Sequence, residues 1–363
     1  MEIGISPSEE KTLISAKELG KFIASIQKQN GEIPWFPGGK TDPWDHVESA
    51  MGLSISGFHP EAVRAYQWLA ETQLADGSWW SGMRDGMVID STKETNFSAY
   101  IAVGIFHHYL ITADLDFLKS MWPMVARGIQ YAIDMQTPEG EIFWARNKDG
   151  AIDQMALLTG CSSIYMSIKC AQAAAAVLNK KRPQWDKAKN NLRTAINERH
   201  DLFNMIKSRF SMDWYYPVLC GSVSGEEAKN RINRSWEKFV VPEWGVRCVS
   251  NRPWVTMAET AELVLTLTAI GDIPRAKLVF SWLINKRFAD GSFWMGVTFP
   301  DGVVWPEEKT GWTAAAVLLA WDALNEMTPA AKLFKHRFWE AADKPSLRKK
   351  PKYPSAIKQP DTG

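Results

Sequence analysis

Gln73-Leu74-Ala75-Asp76-Gly77-Ser78-Trp79 ends an apolar helical stretch with a short polar step, a glycine and a tryptophan. Three variants follow other helical stretches: Gln29-Asn30-Gly31-Glu32-Ile33-Pro34-Trp35, Gln136-Thr137-Pro138-Glu139-Gly140-Glu141-Ile142-Phe143-Trp144 and Arg287-Phe288-Ala289-Asp290-Gly291-Ser292-Phe293-Trp294. Glycine accepts the left-handed backbone that ends a helix, and the tryptophan is expected to pack back over the turn. A mark repeated after helices indicates stacked helical hairpins, each of roughly 40–60 residues. The copies are spaced by about one, one and three such units.

Helical signals elsewhere fill this frame. Residues 8–29 carry a Ser8-Glu9-Glu10 cap followed by spaced aliphatic residues. Asp42-Pro43 starts a second helix, with the proline in its first turn. Further helices are expected at about 60–73, 94–111, 114–135, 153–178, 183–198, 225–238, 255–270, 273–286, 311–327 and 329–341. The stretch 94–111 is apolar on every side and therefore buried, whereas its neighbours are amphipathic. Alternation of buried and amphipathic helices implies two concentric rings. The expected fold is all-α: an (α/α)6 barrel of six hairpins, with the site at one rim.

The chain has 363 residues, is 45% hydrophobic and carries a formal charge of +1. Its uninterrupted periodicity suggests one barrel domain over 1–343. A basic tail, 344–363, containing Arg348-Lys349-Lys350-Pro351-Lys352, reads as a solvated, disordered end or a surface for an acidic partner. The near-neutral balance gives no case for nucleic acid. No stretch approaches the ~20 apolar residues of a spanning helix. The start, Met1 to Pro7, lacks the basic and apolar regions of a signal peptide. Cys161, Cys170, Cys220 and Cys248 are scattered, without a CxxC pair, and read as reduced thiols of a cytoplasmic protein. His107-His108 falls on the buried helix and reads as core. No metal site or cofactor is expected.

The loops are rich in acids beside aromatics. They include Asp42-Pro43-Trp44-Asp45-His46-Val47-Glu48, Asp90 to Asn96, Asp149 to Asp153, Ser211-Met212-Asp213-Trp214-Tyr215-Tyr216-Pro217 and Val304-Trp305-Pro306-Glu307-Glu308-Lys309. Gly245 to Trp254 adds Arg247 and Arg252 and leads to Glu259 and Glu262. Acids at helix starts serve as caps, which is sufficient for Asp42, Asp90 and Asp149. Paired carboxyls in an aromatic cleft have a further use: one stays protonated and donates to a leaving oxygen, while the other activates water or stabilises a cation. That chemistry fits glycoside hydrolysis. It also fits isoprenoid cyclisation, where aromatic faces shield a carbocation.

The run Asn96 to Tyr100, then Asp114 to Leu118, Met121-Trp122-Pro123 and Gly140 to Trp144 resembles six-hairpin glycosidases of the glucoamylase type. The resemblance implies a general acid at Asp153, after Gly150-Ala151-Ile152, where that family has Glu preceded by Trp. It implies a base at Glu307 or Glu308, before Gly311-Trp312-Thr313. It further implies inversion, with acid and base roughly 6.5–9.5 Å apart. Trp44, Tyr215, Trp254 and Trp305 would be sugar platforms, and Asp45, Glu94, Asp213 and Glu259 would bind substrate. Arg247 would hold an anionic group or bridge a loop carboxylate. The substrate would be a short glycan, glycoside or glycoconjugate.

The Gln73 to Trp79 phrase also resembles the repeat of squalene cyclase and prenyltransferase toroids. Their Asp-rich and zinc-binding motifs are absent from this sequence, so the phrase speaks for fold. An isoprenoid enzyme would need a deep, dry lumen, and a cleft with five or more charged side chains opposes it. A barrel that binds a ligand without turning it over is the third alternative.

Overall fold

The computed structural model describes residues 14–343. The Ser8 cap and the basic tail lie outside the described residues. Among the described residues, twelve helices make the barrel: α1 (Ala16–Ile26), α2 (Pro43–Ile55), α3 (His59–Thr72), α4 (Thr95–Thr112), α5 (Leu115–Ile133), α6 (Leu158–Val177), α7 (Pro183–Glu198), α8 (Ser211–Leu219), α9 (Gly225–Arg234), α10 (Met257–Ala269), α11 (Ile273–Leu283) and α12 (Gly311–Asn325). A last helix, α13 (His336–Asp343), follows a 3-10 turn at Pro329–Lys332.

The even-numbered helices form the inner ring. Helix α2 packs on α4, α4 on α6, α6 on α8, α8 on α10, α10 on α12, and α12 closes back on α2. The odd-numbered helices lie outside them. This alternation follows from sequence. Inner helices such as α4 and α12 are buried around nearly their whole circumference, whereas α5 and α7 bury one stripe. Small residues set the inner spacing: a Cβ on Gly52 of α2 would stand 2.8 Å from that of Ala315 in α12.

The repeated phrase has a more specific job than capping, although in the first copy the working glutamine is Gln27, two residues before the Gln29 expected from sequence. Gln27 Nε2, just after α1, donates to Gly31 O at 3.0 Å and to Glu61 O of α3 at 2.9 Å. Gln73, after α3, bridges Gly77 O and Met124 O of α5, both at 3.0 Å. Gln136, after α5, bridges Gly140 O and Ala188 O of α7, both at 2.9 Å. Each clamp ties one outer helix to the next. The glycines have positive φ, and a Cβ on Gly31, Gly77 or Gly140 would strike Arg64 O, Arg127 O or Asn191 O at 2.3, 2.5 or 2.6 Å. The contacted carbonyl lies three residues beyond the clamped one in every case. The fourth copy differs: Arg287 lies over the Phe293 ring, and a Cβ on Gly291 would meet nothing within 4 Å. The tryptophans diverge too. Trp79 is buried and donates to Leu69 O at 2.9 Å, whereas Trp35 turns toward the lumen.

Three short antiparallel sheets decorate the ends where inner helices begin. Strands β1 (Gly82–Arg84) and β2 (Met87–Asp90) form a hairpin. Strands β3 (Lys93–Glu94), β4 (Phe143–Arg146) and β5 (Ile152–Ala156) form a three-stranded sheet. Strands β6 (Val240–Val241), β7 (Gly245–Arg247), β8 (Trp254–Thr256) and β9 (Gly296–Thr298) form the third. Strand β5 thus occupies the start of the helix expected from 153, and α9 stops at Arg234 before a separate turn at Trp236–Phe239.

Helix α8 was hidden in an expected loop, Ser211 to Pro217. Pro217 deprives Asp213 O of its helical partner. Arg231 of α9 replaces it, Nη2 donating to Asp213 O at 2.7 Å and Nε to Trp214 O at 2.8 Å. Among the described residues, no helix is long and apolar enough to cross a membrane.

Candidate active site

The six inner helices all begin at one rim, and their first turns converge on a cavity of about 380 Å³. Helix α2 contributes Trp44, Asp45 and Glu48 to its lining. Asn96 and Phe97 come from α4, Thr159 from α6 and Met212 from α8. Glu259 and Glu262 come from α10, and Trp312 from α12. Each helix N-terminus carries partial positive charge, so six of them suit a cluster of acids.

Asp42 caps α2, its Oδ1 accepting from Asp45 N at 2.9 Å, and its Oδ2 accepts from Trp35 Nε1 at 2.8 Å. The expected capping role therefore coexists with a place in the cavity wall. Trp35 stands edge-on to Trp312, with ring centroids 5.9 Å apart. Across from this pair, Trp44 stacks on Tyr100 at 4.1 Å and its Nε1 donates to Glu48 Oε1 at 3.0 Å.

At the floor, Glu262 accepts from both Tyr215 and Tyr216, the latter at 2.8 Å. Burial pushes Glu262 up to about 8; the Tyr215 hydroxyl opposes the rise and neighbouring Glu259 adds to it. Glu48 is also held well above the carboxylate range, by burial and then by Glu262. Asp45 is raised well above that range as well, by burial first and then by the charges of Asp42 and Glu48. Glu94, the residue before α4, is raised to about 7, again chiefly by burial. Asp213 is raised by burial, against its bonds from Thr159 N and Oγ1 at 3.2 and 2.7 Å.

Such groups make stability depend on pH. Below about pH 4 they are protonated in both folded and unfolded chains. As pH rises, the unfolded carboxyls ionise first, so the folded state loses stability until its own groups titrate. Removing one raised carboxyl should flatten this trend. Replacing Glu262 by Gln is therefore expected to improve the melting temperature, relative to the parent protein, more at pH 8 than at pH 5. Thermal unfolding at both values checks this; an unchanged difference would count against the assignment.

The other expected site residues are spread more widely. Tyr215 is fully buried and offers its hydroxyl to Glu262, so it presents no sugar-facing ring. Asp213 lies behind Thr159. Trp254 on β8 donates to Trp305 O at 2.7 Å, and Trp305 is 60% exposed on the outer rim. Arg247 lies over the Phe299 ring and donates to Lys238 O at 3.3 Å. Asp153, Glu307 and Glu308 are not among the cavity-lining residues: Asp153 is exposed on β5, Glu307 is exposed and Glu308 is half-buried in the loop before α12. Asp153, read as the acid, thus lacks the apolar enclosure expected of a protonated group, and Glu307 and Glu308, read as the base, lie outside this cavity's lining. Trp44, Asp45 and Glu259, by contrast, share the cavity. Glu48 and Glu262 lie one helical turn deeper than Asp45 and Glu259.

Glu259 occupies the first turn of α10 and accepts a hydrogen bond from the Thr256 hydroxyl at that helix's N-cap. Six titratable groups thus line the cavity: Lys40, Asp42, Asp45, Glu48, Glu259 and Glu262. Five of them are carboxyls. That lining opposes the dry lumen an isoprenoid carbocation needs.

An MMP endo-(1,4)-3-O-methyl-alpha-D-mannosidase from Mycolicibacterium hassiacum is 50% identical to the chain over 319 residues, covering 88% of each protein. The chain belongs to this mannosidase family. It is a glycoside hydrolase acting on a small glycan. No protein-family model matches the chain. Solved structures agree on the fold. A D-mannose isomerase superposes with a TM-score of 0.69 at 12% identity, over 90% of this chain and 99% of the isomerase. A glycosidase variant in complex with glucose gives 0.68 at 14% identity, over 89% and 99%. The chain thus has the six-hairpin barrel fold, with its cavity where the inner helices begin.

Proposed function

We propose that the protein is an endo-acting mannosidase that cleaves internal α-(1,4) bonds of a glycan bearing 3-O-methylmannose, with Asp45 as general acid and Glu259 as general base. One observation supports the pair. Asp45 and Glu259 are half-buried carboxyls in the first turns of α2 and α10, and both face the same aromatic cavity. Asp45 is raised by burial and by like charges, which keeps a proton available. Glu259 sits where the helix dipole favours negative charge, next to the Thr256 hydroxyl.

In this reading, Asp45 gives its proton to the glycosidic oxygen as the bond from the anomeric carbon breaks. Glu259 takes a proton from water as its oxygen bonds to that carbon. Solvent returns both groups to their starting states. Trp44, Trp35 and Trp312 supply flat apolar walls for the sugar rings. Glu48 and Glu262 hold the floor, and the acid at Asp45 feels Glu48 directly. The four described thiols are unpaired, which supports a reducing, cytoplasmic setting.

Incubation with a 3-O-methylated α-(1,4)-mannan fragment tests the reading. Shorter oligosaccharides should appear before any monosaccharide, and kcat/KM should fall on the alkaline side along a limb above the usual carboxylate range. Release of single sugars from one end, or no turnover of any mannoside, would overturn it.

A further inference from the structure

Exposed large apolar side chains are concentrated in the segments that lead into the inner helices, at the end of the barrel where the cavity opens. Met87, Val88 and Ile89 are exposed at the turn and second strand of the β1–β2 hairpin, Met87 by 66%. Ile152 is exposed at the start of β5. Met205 and Ile206 are exposed just before α8, Ile206 by 70%, and Val303 and Trp305 before α12. All four segments lead into inner helices, whose first turns line the cavity. The other exposed large hydrophobics among the described residues are Leu115, Leu278 and Met327. A soluble enzyme for ordinary sugars would be expected to present polar groups at such a mouth, because bare hydroxyls seek hydrogen bonds.

We propose that this rim is an extended binding surface for the O-methyl groups of the glycan on both sides of the scissile bond. The proposal rests on the mannosidase reading of the cavity and adds a second contact zone to it. Endo cleavage requires the chain to run across the mouth and beyond it in both directions. A methyl ether removes a donor from a sugar and adds a small apolar cap, which exposed Met, Ile and Trp side chains can cover. Two covered methyl groups amount to about a tenfold preference. Exposed charges of both signs interrupt the apolar spots, Arg84 and Asp85 beside Met87, Lys148 and Asp149 near Ile152. That interruption disfavours a lipid surface or a second copy of the chain as the occupant.

The test compares a 3-O-methylated α-(1,4)-mannooligosaccharide with the unmethylated chain of equal length. The paired substitutions Met87→Ser with Ile89→Ser, and Met205→Ser with Ile206→Ser, are made on these exposed positions and checked by circular dichroism. The ratio of kcat/KM for methylated over unmethylated chain should fall about threefold in each variant and about tenfold when the two pairs are combined, through KM. An unchanged ratio overturns the proposal while leaving the mannosidase reading intact. A parent protein that light scattering shows to be dimeric, with variants that are monomeric, overturns it in favour of self-association. A parent protein that cleaves neither chain overturns the mannosidase reading and this inference together.

Discussion

Asp45→Asn is expected to lower kcat on a mannooligosaccharide by about a thousandfold with little change in KM, since general acid catalysis contributes roughly 10²–10⁴. Asparagine keeps the shape and the cap geometry but has no proton to give. The loss should depend on the leaving group. With a dinitrophenyl mannoside, whose departing phenolate needs no proton, the deficit should shrink to a few-fold. Glu259→Gln should be equally impaired on both substrates, because water activation is needed whatever leaves. Asp153→Asn and the Glu307→Gln, Glu308→Gln double variant should each stay within about twofold of the parent. If either of those lost activity as Asp45→Asn does, the acid and base implied by the glucoamylase-type likeness would be the working pair after all.

That contrast shows how far a sequence reaches here. The rings were legible because burial period distinguishes α4 and α12 from α5 and α7. The acid-and-aromatic segments were legible as chemistry, and Trp44, Asp45 and Glu259 came from them. Direction was harder. An inner helix is apolar nearly all round, so its period does not say which side faces the lumen. A local likeness around Pro306-Glu307-Glu308 carried no information on exposure; Glu307 is exposed, and neither glutamate lines the cavity. A better signal was present. Asp45 and Glu48 stand three apart in the first turns of α2, and Glu259 and Glu262 repeat that spacing in α10. Residues at i and i+3 share a helix face. Two acids on one face of an otherwise apolar helix must meet either each other or a cavity, and two such helices in one barrel point to a common lumen. Helix α8 could not be found this way, because the partner that tolerates Pro217 is Arg231 on another helix.

Gly77→Ala is expected to destabilise the protein by about 3 kcal/mol, lowering its melting temperature by about 4 °C. Two effects add. The backbone at Gly77 has φ of +92°, where an L side chain is strained by roughly 1–2 kcal/mol. A Cβ there would also lie 2.5 Å from Arg127 O, a backbone atom of α5 that can retreat only by shifting its helix. Gly291→Ala isolates the first effect, since φ is +86° but no atom lies within 4 Å; about 1 kcal/mol is expected. Gln73→Ala removes the clamp without adding bulk. It leaves Gly77 O and Met124 O without their side-chain donor, worth about 2 kcal/mol together. Thermal and urea unfolding of the three variants separates the contributions. Equal losses at Gly77 and Gly291 would mean that the approach of α5 is not what requires glycine, and the phrase would revert to a simple turn. A larger loss at Gly77 makes the repeat a joint between neighbouring outer helices. It then explains why three copies carry Gln while the fourth, with open space around its glycine, carries Arg287.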